Sequence, residues 1–181
     1  MKKLLKKQKF DLLYAPMLYA GDIGVHSLSK DVWYYQWQDL LWNFFESKKD
    51  KRFLWKAGPE RTNYFDDPIK NRKAENIIYS TKSIEKELHR TKKVFVDFPS
   101  TVFKQALKEY IPSICITMRY DKYIIDKYLK EYPIYYCSDK YIALQLLGNF
   151  LYDNMVMYSP SPGRSKAQQN DKVLEVVKGV L

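Results

Sequence analysis

The chain has 181 residues, of which 46% are hydrophobic and 16% aromatic, and it carries a formal net charge of +10. This length and apolar content suffice for one well-packed core, so we expect one domain with tails. No apolar run is long enough to cross a bilayer, and residues 1–9 lack the apolar core and cleavage site of a secretory signal. The sequence therefore argues against a membrane-spanning or secreted protein and predicts a soluble, cytoplasmic one.

Six short apolar runs are predicted strands, and several end at a proline, a glycine or a polar residue. They cover residues 10–15, 52–57, 76–79, 94–96, 112–118 and 134–137. The first predicted helix has its aromatic and aliphatic residues at helical spacing on one face, namely Trp33, Trp37, Leu40, Leu41, Phe44 and Phe45. Further helices are predicted from Ser83, from residue 101, over 122–132, over 139–152 with Ser138 as the N-cap, and over 171–177.

Strand and helix alternate along the chain, which is typical of parallel βαβ crossovers. We therefore predict an α/β fold, a Rossmann-like three-layer α/β/α domain with a parallel sheet of about six strands. The predicted boundaries are a basic leader over 1–9, the domain over 10–158, and a linker with a short C-terminal helix over 159–181.

Metal and disulfide chemistry are not indicated. Cys115 and Cys137 each lie inside an apolar run, which favours buried thiols over a disulfide or a metal site. His26 and His89 are too few and too far apart for a zinc set, so no metal is predicted.

Ligands in such a sheet bind where the strands end, and four predicted strand ends carry small or polar residues. These are the loop with Gly21, Gly24 and His26, the end at Lys56, the stretch 80–83 and the stretch 97–101. Glycines let backbone amides approach a phosphate, and a helix N-terminus with Ser100 and Thr101 adds donors, so together they predict a diphosphate cradle. Each part also has a plainer explanation: a common loop motif, an ordinary loop histidine and a simple helix cap.

The stretch 96–103 contains Asp97, Pro99, Ser100 and Thr101 and resembles the Asp-x-Pro-Ser-Thr strand-turn-helix in the C-terminal, donor-binding half of GT-B glycosyltransferases. It is similar in particular to bacterial surface-polysaccharide transferases and to the CDP-glycerol glycerophosphotransferases that polymerise teichoic acid. Residues 13–16 resemble the family's first C-domain strand, and residues 54–59 resemble its Lys-x-x-Pro strand end. The resemblance covers about residues 10 to 155, with three motifs in the family's order.

The resemblance implies a nucleotide-diphosphate sugar or CDP-glycerol as substrate, with no separate cofactor. It implies that Ser100 and Thr101 contact the donor's phosphates, that Lys56 reaches the same charges, and that Asp97 shapes the turn or meets the sugar. Many relatives place a glutamate on the following helix to hold the ribose, whereas this chain has Gln105 at about that position. Glutamine can still hydrogen-bond a hydroxyl, although more weakly than a carboxylate.

A GT-B enzyme has two Rossmann-like domains, and the sequence accounts for the second only. We expect either a fragment, or a separate subunit that supplies the acceptor-binding half, or a domain that binds a nucleotide sugar without turning it over alone. The catalytic residues and the enzymatic status therefore stay open.

The basic charge leaves two further alternatives. A nucleic-acid-binding module is disfavoured, because no recognition motif is present and the aromatic residues fall mostly at core spacing. A non-catalytic domain that docks its first helix onto another subunit is compatible with the aromatic density there, although a core role is the simpler interpretation. The lysine-rich leader is compatible with peripheral contact with an anionic inner membrane face and equally with a disordered tail.

Overall fold

The computed structural model describes residues 9–17, 31–57, 68–118 and 134–154. These ranges contain six strands and four helices. The strands are β1 (Leu12–Ala15), β2 (Phe53–Lys56), β3 (Ile77–Ser80), β4 (Val94–Val96), β5 (Ser113–Thr117) and β6 (Ile134–Tyr136). The helices are α1 (Asp31–Ser47), α2 (Ile84–Leu88), α3 (Thr101–Lys108) and α4 (Lys140–Leu151).

All six strands are parallel and form one sheet in the order β3-β2-β1-β4-β5-β6. In the register of the central strands, Leu13 lies beside Leu54 on one side and beside Val94 on the other. The chain builds outwards from β1 to β3 and then returns to build outwards from β4, so the strand order reverses between β1 and β4. This is the order of a Rossmann-like sheet, and it confirms the predicted fold class.

The central strands bury both of their faces, as a parallel sheet between two helical layers requires. Tyr14, Trp55 and Phe95 belong to one buried cluster, with residues of α1 and α4. Leu13 and Leu54 belong to the other, with residues of α2 and α3. Alternate residues of each central strand therefore enter opposite cores, which confirms the predicted three layers.

Helix α1 buries a stripe that differs slightly from the predicted one. Tyr34, Trp37, Leu41, Trp42 and Phe45 are buried, whereas Trp33 is 39% exposed and Leu40 and Phe44 are half-buried. Tyr34 lies in the buried stripe, and its hydroxyl forms hydrogen bonds with Met17 and Asp97 at the ends of β1 and β4.

The N-cap of α4 is Asp139, so the prediction of Ser138 was wrong. The Asp139 carboxylate accepts hydrogen bonds from the backbone N–H groups of Tyr141, at 2.7 Å, and Ile142, at 3.0 Å. Asp139 has an extended backbone, with φ −116° and ψ 131°, and immediately precedes the first helical residue. The N-cap position requires this geometry, and Ser138 lies one residue too early.

Cys115 and Cys137 are free, buried thiols, as predicted. Burial raises the pKa of both, that of Cys137 to about 11. No helix within the described ranges is long and apolar enough to span a bilayer. The predicted helices over 122–132 and 171–177 and the linker from residue 159 lie outside the described residues.

Candidate functional site

The carboxyl ends of β1 and β4 meet at the point where the strand order reverses. Ala15 at the end of β1 pairs with Val96 at the end of β4. Just beyond, the backbone N–H of Met17 donates to Oδ1 of Asp97 at 2.8 Å. In open parallel sheets this crevice is the usual position of a ligand, and helix α3 begins at its rim.

Asp97 lies beneath this crevice and is only 7% exposed. Its Oδ2 accepts hydrogen bonds from the hydroxyls of Tyr14, at 2.5 Å, and Tyr34, at 2.9 Å. The Tyr34 hydroxyl also lies 2.7 Å from the carbonyl oxygen of Met17. One carboxyl group therefore ties together β1, the segment that leaves β1, and the first turn of α1.

Burial raises the pKa of the Asp97 carboxyl, although the hydrogen bonds that it accepts oppose the shift. Burial also raises the pKa of Tyr14 and of Tyr34 well above the ordinary value, and the nearby charge of Asp97 adds to this effect. The sequence analysis did not identify Tyr14 or Tyr34 as partners of Asp97. Their only sequence signal is a hydroxyl-bearing aromatic at positions that otherwise suit a purely apolar residue.

Ser100 and Thr101 form the start of α3. Ser100 is the N-cap, and its Oγ accepts from the backbone N–H of Phe103 at 3.5 Å. The Ser100 hydroxyl accepts the cap bond and can still donate its own hydrogen. The backbone N–H groups of Thr101 and Val102 belong to the first turn of the helix and therefore have no intrahelical acceptor. Thr101 is exposed and Ser100 is half-buried. This helix start therefore presents hydroxyl and amide donors beside the switch point.

Lys56 ends β2, which β1 separates from β4 in the sheet. Its Nζ donates to the carbonyl oxygen of Ala57 at 2.8 Å. Burial lowers the pKa of Lys56, and the charge of Glu87 partly opposes this shift. Glu87 is fully buried, accepts from the Ser80 hydroxyl at 2.5 Å and pairs with Arg90 at 2.7 Å. The Lys56 ammonium group is therefore partly buried and lies within the electrostatic reach of this buried carboxylate.

Gln105 lies on α3, one turn beyond the helix start. Its Nε2 donates to Oε1 of Glu109 at 3.2 Å, and the side chain is half-buried. The structure thus brings Asp97, Ser100 and Thr101 together at the switch point and leaves Lys56 and Gln105 at its periphery. Gly21, Gly24 and His26 lie outside the described residues.

The described site therefore offers an anion the hydroxyls of Ser100 and Thr101, the backbone N–H groups at the start of α3 and, further away, the partly buried ammonium group of Lys56. Groups of three or more histidine, cysteine or carboxylate side chains that could hold a metal ion do not occur in the described part of the chain.

Comparison with known proteins does not assign a function to the chain. No protein-family model matches the chain, and a search of curated proteins finds no match. Among solved structures, the chain is similar to the UDP-GlcNAc 2-epimerase from Methanocaldococcus jannaschii, at 13% sequence identity and a TM-score of 0.47 over 98% of this chain. The chain spans 48% of the length of that protein. A likeness of this strength assigns no function, and the fold rests on the sheet topology described above.

Proposed function

We propose that the chain is the donor-nucleotide-binding half of a glycosyltransferase or glycerophosphotransferase in cell-surface polysaccharide biosynthesis. The observation that carries the proposal is the position of the Asp97-to-Thr101 turn. This turn follows β4 at the switch point and leads directly into α3. A phosphate there meets a helix N-terminus and two hydroxyls, which suits the diphosphate of a nucleotide-activated donor.

In this function the residues have distinct roles. Ser100 and Thr101 donate hydrogen bonds to the donor's phosphates, Lys56 supplies positive charge near them, and Gln105 hydrogen-bonds the ribose. The reaction is a displacement at the anomeric carbon, or at phosphorus for CDP-glycerol, with the nucleotide as leaving group. Donors aimed at the phosphates stabilise the negative charge that develops on that leaving group.

Asp97 has a positioning role in the proposed site. All three of its described hydrogen bonds are accepted from donors inside the protein, and little of its surface reaches solvent. It holds the ends of β1 and β4 in register beside the donor instead of touching the donor itself.

The proposal assigns acceptor binding and the catalytic base to a second domain or a separate subunit. A non-catalytic nucleotide-binding domain that acts with such a subunit is the alternative. The two differ in turnover, not in donor binding.

A thermal-shift screen against UDP-, GDP- and CDP-linked donors, including CDP-glycerol, tests the proposal. A ligand at 100 times its Kd stabilises the folded state by about 2.7 kcal/mol, so we expect a clear rise in Tm with one donor class. The double variant Ser100→Ala/Thr101→Ala should lose that rise. The matched control is Ser47→Ala/Ser138→Ala, which removes two exposed hydroxyls outside the predicted strand ends of the site and should keep it.

Unchanged Tm with every donor, or full binding by the double variant, would contradict the proposal. Incubation with the bound donor and analysis of the released nucleotide then separates the two versions. Donor binding without nucleotide release favours the non-catalytic domain.

A further inference from the structure

The amino-terminal ends of the parallel strands lie together, at the edge of the sheet opposite the candidate site. Three chain segments there, 9–11, 48–52 and 90–93, lead into β1, β2 and β4. The backbone N–H of Lys9 donates to the carbonyl of Arg90 at 2.8 Å, and that of Asp11 donates to the carbonyl of Arg52 at 2.8 Å. These segments therefore form one continuous surface.

Two more segments extend this surface. Segment 73–76 leads into β3, and the Asn76 amide Nδ2 donates to the carbonyl of Lys48 at 3.0 Å. Segment 152–154 follows α4, and the Tyr152 hydroxyl donates to Oδ1 of Asp50 at 3.1 Å. We call the five segments together the amino-terminal edge.

The amino-terminal edge carries a strong positive charge. Its five segments hold nine lysines and arginines against four carboxylates, a net charge of +5. All other described residues hold eight basic and eight acidic side chains and so have no net charge. The fold therefore gathers the whole net charge of the described residues at one end of the sheet. Lys2, Lys3, Lys6 and Lys7 precede this edge directly in the chain and add four more charges.

Much of this charge is available to a partner. Lys9, Lys49 and Lys73 are exposed, and none of them pairs with a carboxylate of the described residues. Arg52 is exposed as well, and its guanidinium lies 5.6 Å from the centre of the Phe10 ring, which Arg90 approaches to 5.0 Å. The edge keeps these like charges close together, which costs free energy unless an anion neutralises them.

We propose that the amino-terminal edge docks the protein onto an anionic lipid membrane. Seven of its nine basic residues are lysines, which act as mobile point charges and suit a diffuse layer of anionic headgroups. Nucleic-acid binding of single strands instead relies on exposed aromatic rings that stack on bases. At this end of the sheet the exposed aromatics of the described residues are Tyr152, whose ring Lys51 covers at 4.7 Å, and Tyr110 in the segment before β5, so a row of open rings does not occur there.

Docking in this way gives the domain a defined orientation. The strands run from the membrane side towards the switch point, with a rise of about 3.3 Å per residue. The crevice between β1 and β4 therefore faces away from the bilayer and stays open to the aqueous phase.

Co-sedimentation of the full chain with phosphatidylcholine vesicles, with and without phosphatidylserine, tests the proposal. We expect partition onto the anionic vesicles only, and its loss between about 0.1 M and about 1 M salt, because the Debye length falls from about 10 Å to about 3 Å. The triple variant Lys9→Glu/Lys49→Glu/Lys73→Glu should partition on the order of a hundredfold more weakly.

The matched control is Lys82→Glu/Lys86→Glu/Lys140→Glu, which changes the net charge equally at exposed positions away from the edge. It should partition at least about tenfold more strongly than the edge variant. Circular dichroism checks that both variants fold. If the edge variant does not fold, the three single lysine-to-glutamate variants replace it, and each should partition onto anionic vesicles about fivefold more weakly than the wild type.

Four outcomes would overturn the proposal. They are equal loss of binding in both triple variants, no partition of the wild type, binding to RNA or DNA without binding to vesicles, and vesicle binding that is lost when residues 1–8 are deleted but is kept by the edge variant.

Discussion

At the scale of single residues, the hydrogen atoms around Asp97 can be counted. The Tyr34 hydroxyl has one hydrogen but two acceptors within reach, the Met17 carbonyl at 2.7 Å and Asp97 Oδ2 at 2.9 Å. The Tyr34 hydrogen is therefore shared between these two acceptors. Burial of Asp97 raises the pKa of its carboxyl, whereas the hydrogen bonds that it accepts favour the charged form and oppose that shift.

This raised pKa predicts a pH dependence of stability that can be isolated with Asp97→Asn. The native state binds the Asp97 proton more tightly than the unfolded state, whose pKa is near the ordinary 3.8. The stability from this group is thus complete below pH 3.8 and is lost as the pH rises through the raised native pKa, by about 1.4 kcal/mol per unit of pKa difference. The variant cannot ionise at this position. We expect its deficit in unfolding free energy relative to the wild type to shrink from about pH 4 to about pH 7.

Urea unfolding of both proteins across this pH range measures the deficit. The difference between wild type and variant cancels the titration of other groups. One such group is Asp11, whose burial acts to raise its pKa but whose hydrogen bonds from Lys92 and the Arg52 backbone lower it overall. A constant or widening deficit would contradict the assignment of a raised pKa to Asp97.

A second prediction at this scale concerns Tyr34→Phe. The change removes the hydroxyl that joins α1 to Asp97 and Met17 and leaves the buried carboxyl with one donor fewer. We expect a loss of about 1–2 kcal/mol in unfolding free energy. Tyr35→Phe removes the same atom from the next residue, which is 40% exposed, and should cost almost nothing. Equal urea midpoints for the two variants would show that the Tyr34 hydrogen bonds do not contribute.

At the scale of elements, two of the helices that start directly after a strand end have a side chain that caps them through a hydrogen bond. Ser100 caps α3 after β4, and Asp139 caps α4 after β6. The sequence identified the first cap, because Ser100 immediately precedes a clear helical pattern. It misplaced the second by one residue, because Ser138 and Asp139 are both good caps and only the backbone conformation distinguishes them.

The cap assignment can be tested with two alanine variants. Asp139→Ala removes the acceptor of two backbone N–H groups and a negative charge at the helix N-terminus, so it should destabilise the protein by about 1 kcal/mol. Ser138→Ala should leave the unfolding free energy within a few tenths of a kcal/mol of the wild type. Thermal unfolding followed by circular dichroism would decide, and a larger loss from Ser138→Ala would restore the original assignment.

At the scale of the whole molecule, the two ends of the sheet have different properties. The carboxyl ends of β1 and β4 collect hydrogen-bond donors around a buried carboxyl. The amino-terminal edge collects the net positive charge. The parallel arrangement produces this division, because it places every strand start at one end of the sheet and every strand end at the other.

The same architecture predicts how protection from hydrogen exchange varies across the sheet. β1 and β4 have a neighbouring strand on each side and buried residues on both faces. β3 and β6 are edge strands, and Ile78 and Tyr136 within them are 42% and 48% exposed. We expect the slowest amide in β1 or β4 to exchange at least about tenfold more slowly than the slowest in β3 or β6.

Native-state exchange followed by NMR measures these rates. Only the slowest amide in each strand is compared, because the amides on the open side of an edge strand exchange quickly however the sheet opens. Equal rates in all four strands would mean that the sheet opens only as a unit.

The sequence by itself determined the strands and helices of the described residues, the fold class and the buried cysteines. The spacing of apolar residues indicates which side chains are buried locally. The run from Val94 to Val96 predicts a strand buried on both faces, and the aromatic spacing from Trp33 to Phe45 predicts a helix. The turn from Asp97 to Thr101 could also be placed at a strand end, and the donor-binding function proposed for it remains a prediction.

Only the tertiary structure decided which residues meet. The hydrogen bonds of Asp97 reach Tyr34 and Tyr14, which are 63 and 83 residues away in the chain. They exist because β4 pairs with β1, and strand order is set by packing between distant segments that leaves no local pattern. The charge of the amino-terminal edge arises in the same way. Its lysines and arginines look scattered along the sequence, and they become one surface because parallel strands bring their starting points together.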